Sequence, residues 1–398
     1  MGAACYFIAL FHRASLGVAA PEALVRFSAG PAVLSLFTAL QLGVYLLLQV
    51  PSGLLADRLG PRRVITGGVV ALALGSGVFA LSGSVLGGIT GRVLIGIGDA
   101  FMFTNVLRLA AQWFPANKYG RIAALTGLVG GLGQVISTVP LTASLHGLGW
   151  VSTFLGAAGL TALLAIGAGV VIRDRPRGRL EEEIAAHERI GRTLRAVVAQ
   201  RGTRNSFFAH FVLMGQFLAV TTLWGAPWLT SAEGFTSASA GSLLLLCAVG
   251  FIVGSLVAGQ LVAGHDRRRE RYTLAISLVV TAVWALVVAW PGALAGPVVA
   301  VGLFVVGFCG GGAMLAFDGA KSANEAHRSG AASGVVNMGG FLAGVLIQLL
   351  VGAVLEAVGT LPQLQAYRWA FLPVLVLVAF GSLGQWWFRS RRVAARRG

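Results

Sequence analysis

The chain has 398 residues, 56% hydrophobic and only 11% charged, with a mean hydropathy of +0.82. That balance excludes a water-soluble globule. A formal charge of +16 would suit a nucleic-acid partner, but of the 30 lysines and arginines only Arg13, Arg26, Arg92 and Arg368 fall outside short loops, tails and helix ends. Cations gathered in this way mark membrane topology, because short basic loops stay on the inner side. No nucleic acid is implied.

Twelve apolar stretches are each close to the roughly 20 residues that a helix needs to cross a bilayer. They lie at about 3–22, 32–56, 64–84, 87–112, 121–143, 150–172, 205–230, 238–264, 272–291, 294–318, 331–355 and 368–388. Residues 1–18 also admit a signal-peptide reading. It is set aside because there is no basic n-region, His12-Arg13 interrupts the apolar run, and eleven further spans follow. The first span begins almost at Met1, which leaves room for a start further upstream.

Within span 1, Arg13 lies about ten residues, roughly 15 Å, from either end, too deep to snorkel out with ease. A buried guanidinium requires an anion, either a side chain or a solute. Beside it, His12 is a candidate for titration near neutrality, or for a simple hydrogen bond to a backbone carbonyl. On span 2, Thr38, Gln41, Tyr45 and Gln49 form a polar stripe at helical spacing. Such a stripe faces protein or a cavity, since lipid cannot satisfy it.

Spans 2 and 3 are joined by Gly53-Leu54-Leu55-Ala56-Asp57-Arg58-Leu59-Gly60-Pro61-Arg62-Arg63. This turn is short and basic, so Arg58, Arg62 and Arg63 mark its face as cytoplasmic. In span 4, Arg92 and Asp99 are seven residues apart, hence on one helix face about 10 Å from each other. Asp99 is the acid placed well inside a span. Arg108, towards the inner end, is expected to meet Asp57 in an inner gate. Span 5 carries Gln134, Ser137, Thr138 and Thr142 in a second stripe. The runs Gly127–Gly133 and Gly307–Gly312 read as packing seams. They are not phosphate loops, because the Lys-Ser/Thr ending is missing, so an ATP-driven pump is unsupported.

Residues 173–204, with Glu181-Glu182-Glu183 and nine arginines, read as a cytoplasmic amphipathic linker between two halves, 1–172 and 205–398. The second half echoes the first at a shift of 209. Asp57-Arg58 returns as Asp266-Arg267, Gly98 as Gly307 and Gly130-Gly131 as Gly339-Gly340. Span 7 offers His210, Gln216, Thr221, Thr222, Trp224 and Trp228 but no internal arginine. Asp318, near the inner end of span 10 with Lys321 three residues on, is either a gate partner or a proton carrier. Asn337, Phe341, Gly344 and Gln348 mark a stripe on span 11. Trp113, Trp386 and Trp387 sit where belt aromatics belong, and the Arg389–Arg397 tail suits anionic headgroups.

The loop after span 2 resembles the signature loop of the major facilitator superfamily of secondary transporters, with every fixed position present. The second loop lacks the Gly-x-Arg-Arg tail of that pattern. The resemblance implies an all-α membrane protein of twelve helices in two pseudo-symmetric six-helix bundles, with a solute site between them. Span 1 from His12-Arg13 to Ala20-Pro21, and span 4 with Arg92, Gly96-Ile97-Gly98-Asp99-Ala100, Trp113-Phe114-Pro115 and Gly120-Arg121, look like the organophosphate:phosphate antiporters and anion:cation symporters. In those families the helix 1 arginine helps bind an anionic substrate, which makes Arg13 the corresponding residue.

The chain departs from those families at two places. The helix 7 arginine of the organophosphate antiporters is absent, so a monocarboxylate, zwitterion or sugar acid fits better than a phosphate ester. An acid of many anion:cation symporters is replaced by His12. The expectation is therefore a transporter, not an enzyme, in a bacterial inner membrane with both termini cytoplasmic. It is monomeric, has no cofactor or metal, and moves an organic anion together with protons. Arg13, Gln41, Tyr45, Gln134, His210, Trp224 and Asn337 would bind the solute. Asp99, Arg92 and His12 would couple protons, and Asp57, Arg58, Arg62, Arg108, Asp266, Arg267 and Asp318 would form the inner gate. The rivals are proton-driven drug or metabolite efflux, weakened because span 5 lacks a Gly-Pro pair, and a transporter-fold metabolite sensor, for which no signalling domain is seen.

Overall fold

The computed structural model describes residues 1–174, 190–262, 266–325 and 328–389. Among these, ten helical segments are long and apolar enough to span a membrane, and a bent pair makes an eleventh. The remaining span is α7 (Ala116–Ile136) continued by the first turns of α8 (Val139–Val171). Each of the twelve expected spans is thus helical. Most of the expected linker, 175–189, and the tail, 390–398, lie outside the described residues, as do the side chains of Asp57 and Asp266.

Several spans are broken in ways that hydropathy does not foretell. Span 1 is α1 (Gly2–Val18) followed by α2 (Ala20–Arg26), bent by 69°. Pro21 explains the break, because it has no N–H to donate and its ring crowds the carbonyl four residues back. Span 2 is α3 (Pro31–Leu59) and span 3 is α4 (Pro61–Leu81), joined at Gly60 with φ +81°. A side chain there would meet the Asp174 carboxylate, which accepts from the Arg62 backbone N at 2.6 Å. The Arg62 guanidinium also donates to the Gly169 carbonyl, so this signature-loop arginine ties span 3 to span 6 within the first half. Span 4 is α5 (Val85–Ala100) and α6 (Phe103–Trp113). Within α8, Gly149 with φ +75° is the turn that separates spans 5 and 6.

The short α9 (Ile190–Ala199) buries Val197 against the second half and leaves Arg192 exposed. Span 7 begins as α10 (Arg201–Ala219) and continues through two wide π turns, 220–224 and 228–232, around α11 (Gly225–Pro227). Here the Thr221 and Thr222 hydroxyls donate back to the Phe217 and Leu218 carbonyls, a bonding mode that loosens the regular ladder. Spans 8 and 9 are α12 (Ser237–Val262) and α13 (Asp266–Ala289). Span 10 is α14 (Gly296–Gly311) running through a tight turn into α15 (Leu315–Ser322). Spans 11 and 12 are α16 (Ser329–Ala357) and α17 (Gln363–Trp387).

Helices in lipid gain little from hiding apolar surface from one another, so close backbone approach supplies the attraction. Two glycine seams provide it. A Cβ on Gly75 would stand 2.7 Å from the Gly91 carbonyl between α4 and α5, where Gly68 and Gly98 also oppose each other. Between α12 and α14, Gly250 and Gly254 meet the Phe304 and Phe308 carbonyls, while Gly307 and Gly311 meet those of Cys247 and Phe251.

The halves meet mainly through α3 against α16 and α1 against the first π turn. Along the first contact, Ala32 N donates to Glu356 at 3.3 Å, Ser35 packs on Gly352 and Leu42 on Gly344. Further on, Asn337 donates to Gln49 at 3.2 Å. Along the second, Gly17 lies 2.8 Å from the Thr222 backbone, measured from where a Cβ would stand.

The seam makes a prediction. Gly254→Val drives methyl groups into the Phe308 backbone, and overpacking of this kind costs about 1–3 kcal/mol. Gly259, on the same helix, has nothing within 4 Å of an added Cβ. The Gly254 variant should unfold several degrees below wild type in detergent while Gly259→Val does not. Equal melting temperatures for the two would dismiss the seam.

Candidate functional site

The four arginines that stand outside loops divide into two kinds. Arg26 donates to the Ser82 and Ala80 carbonyls at 2.8 and 2.9 Å, and Arg368 to Gly292 at 2.8 Å. Both cap carbonyls at or beyond a helix end, a favourable place for a cation. Arg13 and Arg92 are in the interior, with 6% and 0% of their surface exposed.

Arg13 projects from α1 and grips Asp99 of α5 with both arms, Nε to Oδ2 and NH2 to Oδ1, each at 2.8 Å. The planar fork matches the carboxylate in two bonds, which a lysine cannot do. Asp99 is able to reach α1 because α5 lies close to its neighbours. A Cβ on Gly96 would stand 2.7 Å from the Gln41 backbone, and Gly98 presses on Gly68 of α4. The partner of Asp99 is thus on another helix, and it is not Arg92. Instead, Arg92 turns its NH1 to the His12 carbonyl at 3.4 Å and lays its guanidinium 5.3 Å from the Phe79 ring centre. Its Nε and NH2 have no hydrogen-bond partner.

His12 meets a hydroxyl rather than a carbonyl. Its Nε2 lies 2.9 Å from Thr161 Oγ1, whose own proton goes to Ala157 O. Thr161 must then accept, which puts the imidazole proton on Nε2 and leaves Nδ1 as an unpartnered acceptor. His210 in α10 follows similar logic. Gly340 N donates to its Nδ1 at 3.1 Å, so Nε2 carries the proton, and that nitrogen is also without a partner.

The structure brings some expected solute ligands to Arg13 and leaves others apart. Tyr45 is beside it, with the guanidinium carbon 4.9 Å from the ring centre. Gln41 is buried alongside and interacts with Asp99. Asn337 is one turn from Phe341, which stands 5.2 Å from the same guanidinium carbon. Trp224 donates to the Gln348 carbonyl, and Gln348 in turn donates to Thr222. Gln134 borders a separate small cavity between the halves, together with Gly17, Thr138 and Thr221. Phe341, part of the span 11 stripe, is a neighbour of Arg13 that was not among the expected solute ligands. A phenylalanine in an apolar span carries no signal of its own.

At the expected gate, Arg108 donates to the Gly53 carbonyl at 3.2 Å, which binds span 4 to span 2 next to the signature loop. Arg58, Arg267 and Asp318 are exposed. The pairings expected of Asp57 and Asp266 fall outside the described residues.

A chain-wide comparison decides the family. The model of the "Major Facilitator Superfamily" matches residues 2–348. The chain belongs to the major facilitator superfamily. Its relatives include "Probable sulfoacetate transporter SauU" of Cupriavidus necator, 28% identical over 66% of this chain and 64% of that protein. Another is "Probable L-galactonate transporter" of Escherichia coli, 26% identical over 59% and 52% of the two chains. The chain thus spans less than two-thirds of the length of either relative. Among solved structures, a D-xylose-proton symporter superposes with a TM-score of 0.74 at 17% identity, covering 97% of this chain and 96% of that one. The superfamily fold has twelve helices in two bundles, and its members are transporters rather than enzymes.

The buried pair yields a stability prediction. Removing one partner strands a charge in a low-dielectric interior, at about 3–5 kcal/mol, whereas replacing both with apolar side chains of similar volume is close to neutral. Arg13→Met and Asp99→Leu should each depress the melting temperature, and the double variant should recover most of the loss. Additive losses in this double-mutant cycle would mean that the two residues do not act as a pair.

Proposed function

We propose that this superfamily member is a proton-coupled symporter of small organic anions, with Arg13 as the anion-binding cation and Asp99 as the group that exchanges it for a proton. The single observation that supports this reading is the two-armed Arg13–Asp99 pair. Asp99 holds the Nε–NH2 edge of the guanidinium, so a carboxylate that takes that edge displaces Asp99. If Asp99 left as an anion, an uncompensated charge would remain in the interior, which is strongly disfavoured. If it leaves protonated, the buried charge is the same before and after. One proton then accompanies each monocarboxylate and the cycle is electroneutral. His12 and His210 stand aside from this exchange, because neither contacts the pair. The protein works in a bacterial inner membrane, as a monomer, by rocking of the two halves about the α3–α16 and α1–span 7 contacts. Relatives named for sulfoacetate and L-galactonate support an organic anion as cargo.

Proteoliposomes loaded with purified protein test both roles. Wild type should accumulate a carboxylate under an inward proton gradient and respond little to an imposed membrane potential. Asp99→Asn, which resembles the protonated acid, should lose accumulation and keep exchange of solute between the two faces. Arg13→Lys should weaken uptake by about one to two orders of magnitude, the loss of one strong charge-assisted bond. Continued gradient-driven accumulation by Asp99→Asn would remove Asp99 from the coupling role.

A further inference from the structure

Tyr45 and Phe341 belong to opposite halves, on α3 and α16, and their rings stack with centres 4.0 Å apart and planes 23° from parallel. Both residues are buried. The Arg13 guanidinium carbon is nearly equidistant from the two centres, at 4.9 and 5.2 Å. A cation lying on the outer face of one ring would be about a full layer, roughly 3.5–4 Å, further from the other. Near-equality places it at the rim of the stack, facing the seam between the rings. Leu42 and Leu218 wall the same cluster, with Met214 and Val345 against it. The neighbouring amides of Gln49 and Asn337 are engaged with each other.

We infer that the Tyr45–Phe341 stack is the closed form of a slot for the body of the solute, and that the solute is a planar aromatic monocarboxylate. Because the rings sit on different halves, rocking changes their separation. A gap of one further layer, about 3.5–4 Å, admits a flat ring with a face against each side. In an aromatic acid the carboxylate lies in the ring plane, so it leaves the slot at the rim and points at Arg13. A sugar acid has hydroxyls along its whole length, and two aromatic faces return none of the hydrogen bonds those groups lose on leaving water. This inference rests on Arg13 being the anion site.

The test uses the full chain in nanodiscs, on both sides of neutral pH, with benzoate, cyclohexanecarboxylate and galactonate as probes. Benzoate should bind about tenfold more tightly than cyclohexanecarboxylate, the worth of two stacking contacts, and more tightly than galactonate. Phe341→Leu and Tyr45→Leu should each reduce benzoate towards the cyclohexanecarboxylate level, while Phe341→Tyr restores it. The ring-retaining variant also guards against a leucine variant that simply fails to fold. Equal binding of benzoate and its saturated analogue, or Arg13-dependent binding of galactonate ahead of benzoate, overturns the slot and leaves the anion site intact. Binding of all three probes that is indifferent to Arg13→Lys overturns the anion site, and the slot with it.

Discussion

A guanidinium and a carboxylate in the middle of a membrane protein organise everything around them. Neither charge is tolerable there alone, and their two bonds at 2.8 Å fix how α1 and α5 approach. The glycines at 96 and 98 follow from this requirement. Had either carried a side chain, α5 would stand off from α3 and α4, and the Asp99 carboxylate would fall short of α1. Arg92 shows what the pairing leaves over. It sits on the same helix as Asp99 with two unpartnered nitrogens, so the first half keeps a net positive interior even with Arg13 neutralised. That residual field favours anions over cations as guests.

The second constraint is mechanical. Within each half the glycine seams set backbone against backbone, and there is little free play in such a seam because a carbonyl cannot rotate away as a side chain can. Between the halves Gly17 and Gly352 also meet backbone, but the polar and ring contacts among the described residues are of another kind. They include one carboxylate on a backbone N–H at 3.3 Å, one amide pair at 3.2 Å and one stacked ring pair. Each is made by a side chain able to swing and to find water or another partner when the halves part. Stiffness within each half and lighter fastening between them is what the proposed rocking of two rigid pieces requires.

The sequence showed the twelve spans because hydropathy reports the solvent, and the solvent here is lipid. It was silent on the bend at Ala19, the break at Phe101-Met102 and the π turns of span 7, which arise from local hydrogen-bond competition and tertiary contact. Arg13 and Asp99 were each recognisable as costly exceptions, one read as an anion ligand and the other as a proton carrier. That they hold each other was not visible across 86 residues of chain, because the choice between Arg92 and Arg13 depends on how closely α5 docks. The same limit applied to Phe341. Its role comes from lying opposite Tyr45, and the pairing of two stripes on different halves is a fact about three dimensions.

Charge and ring stack converge on one side chain, and this convergence links chemistry to motion. The Arg13 guanidinium is bonded to a residue of its own half and lies against rings from both halves. Its electrostatic partner sets where the cation points, and its position at the rim of the stack senses whether the halves are together. When the carboxylate on Arg13 is internal, the rings can close on each other and bury the pair. In the proposed exchange a solute carboxylate on Arg13 would put the body of that solute where the rings meet. The empty and loaded forms would therefore differ in ring spacing even with the charge inside unchanged. A conformational change requires a differential interaction of this sort, because a ligand that binds both arrangements equally shifts neither. In the proposed exchange the cation would supply affinity common to internal and external carboxylates, and the rings the difference between them.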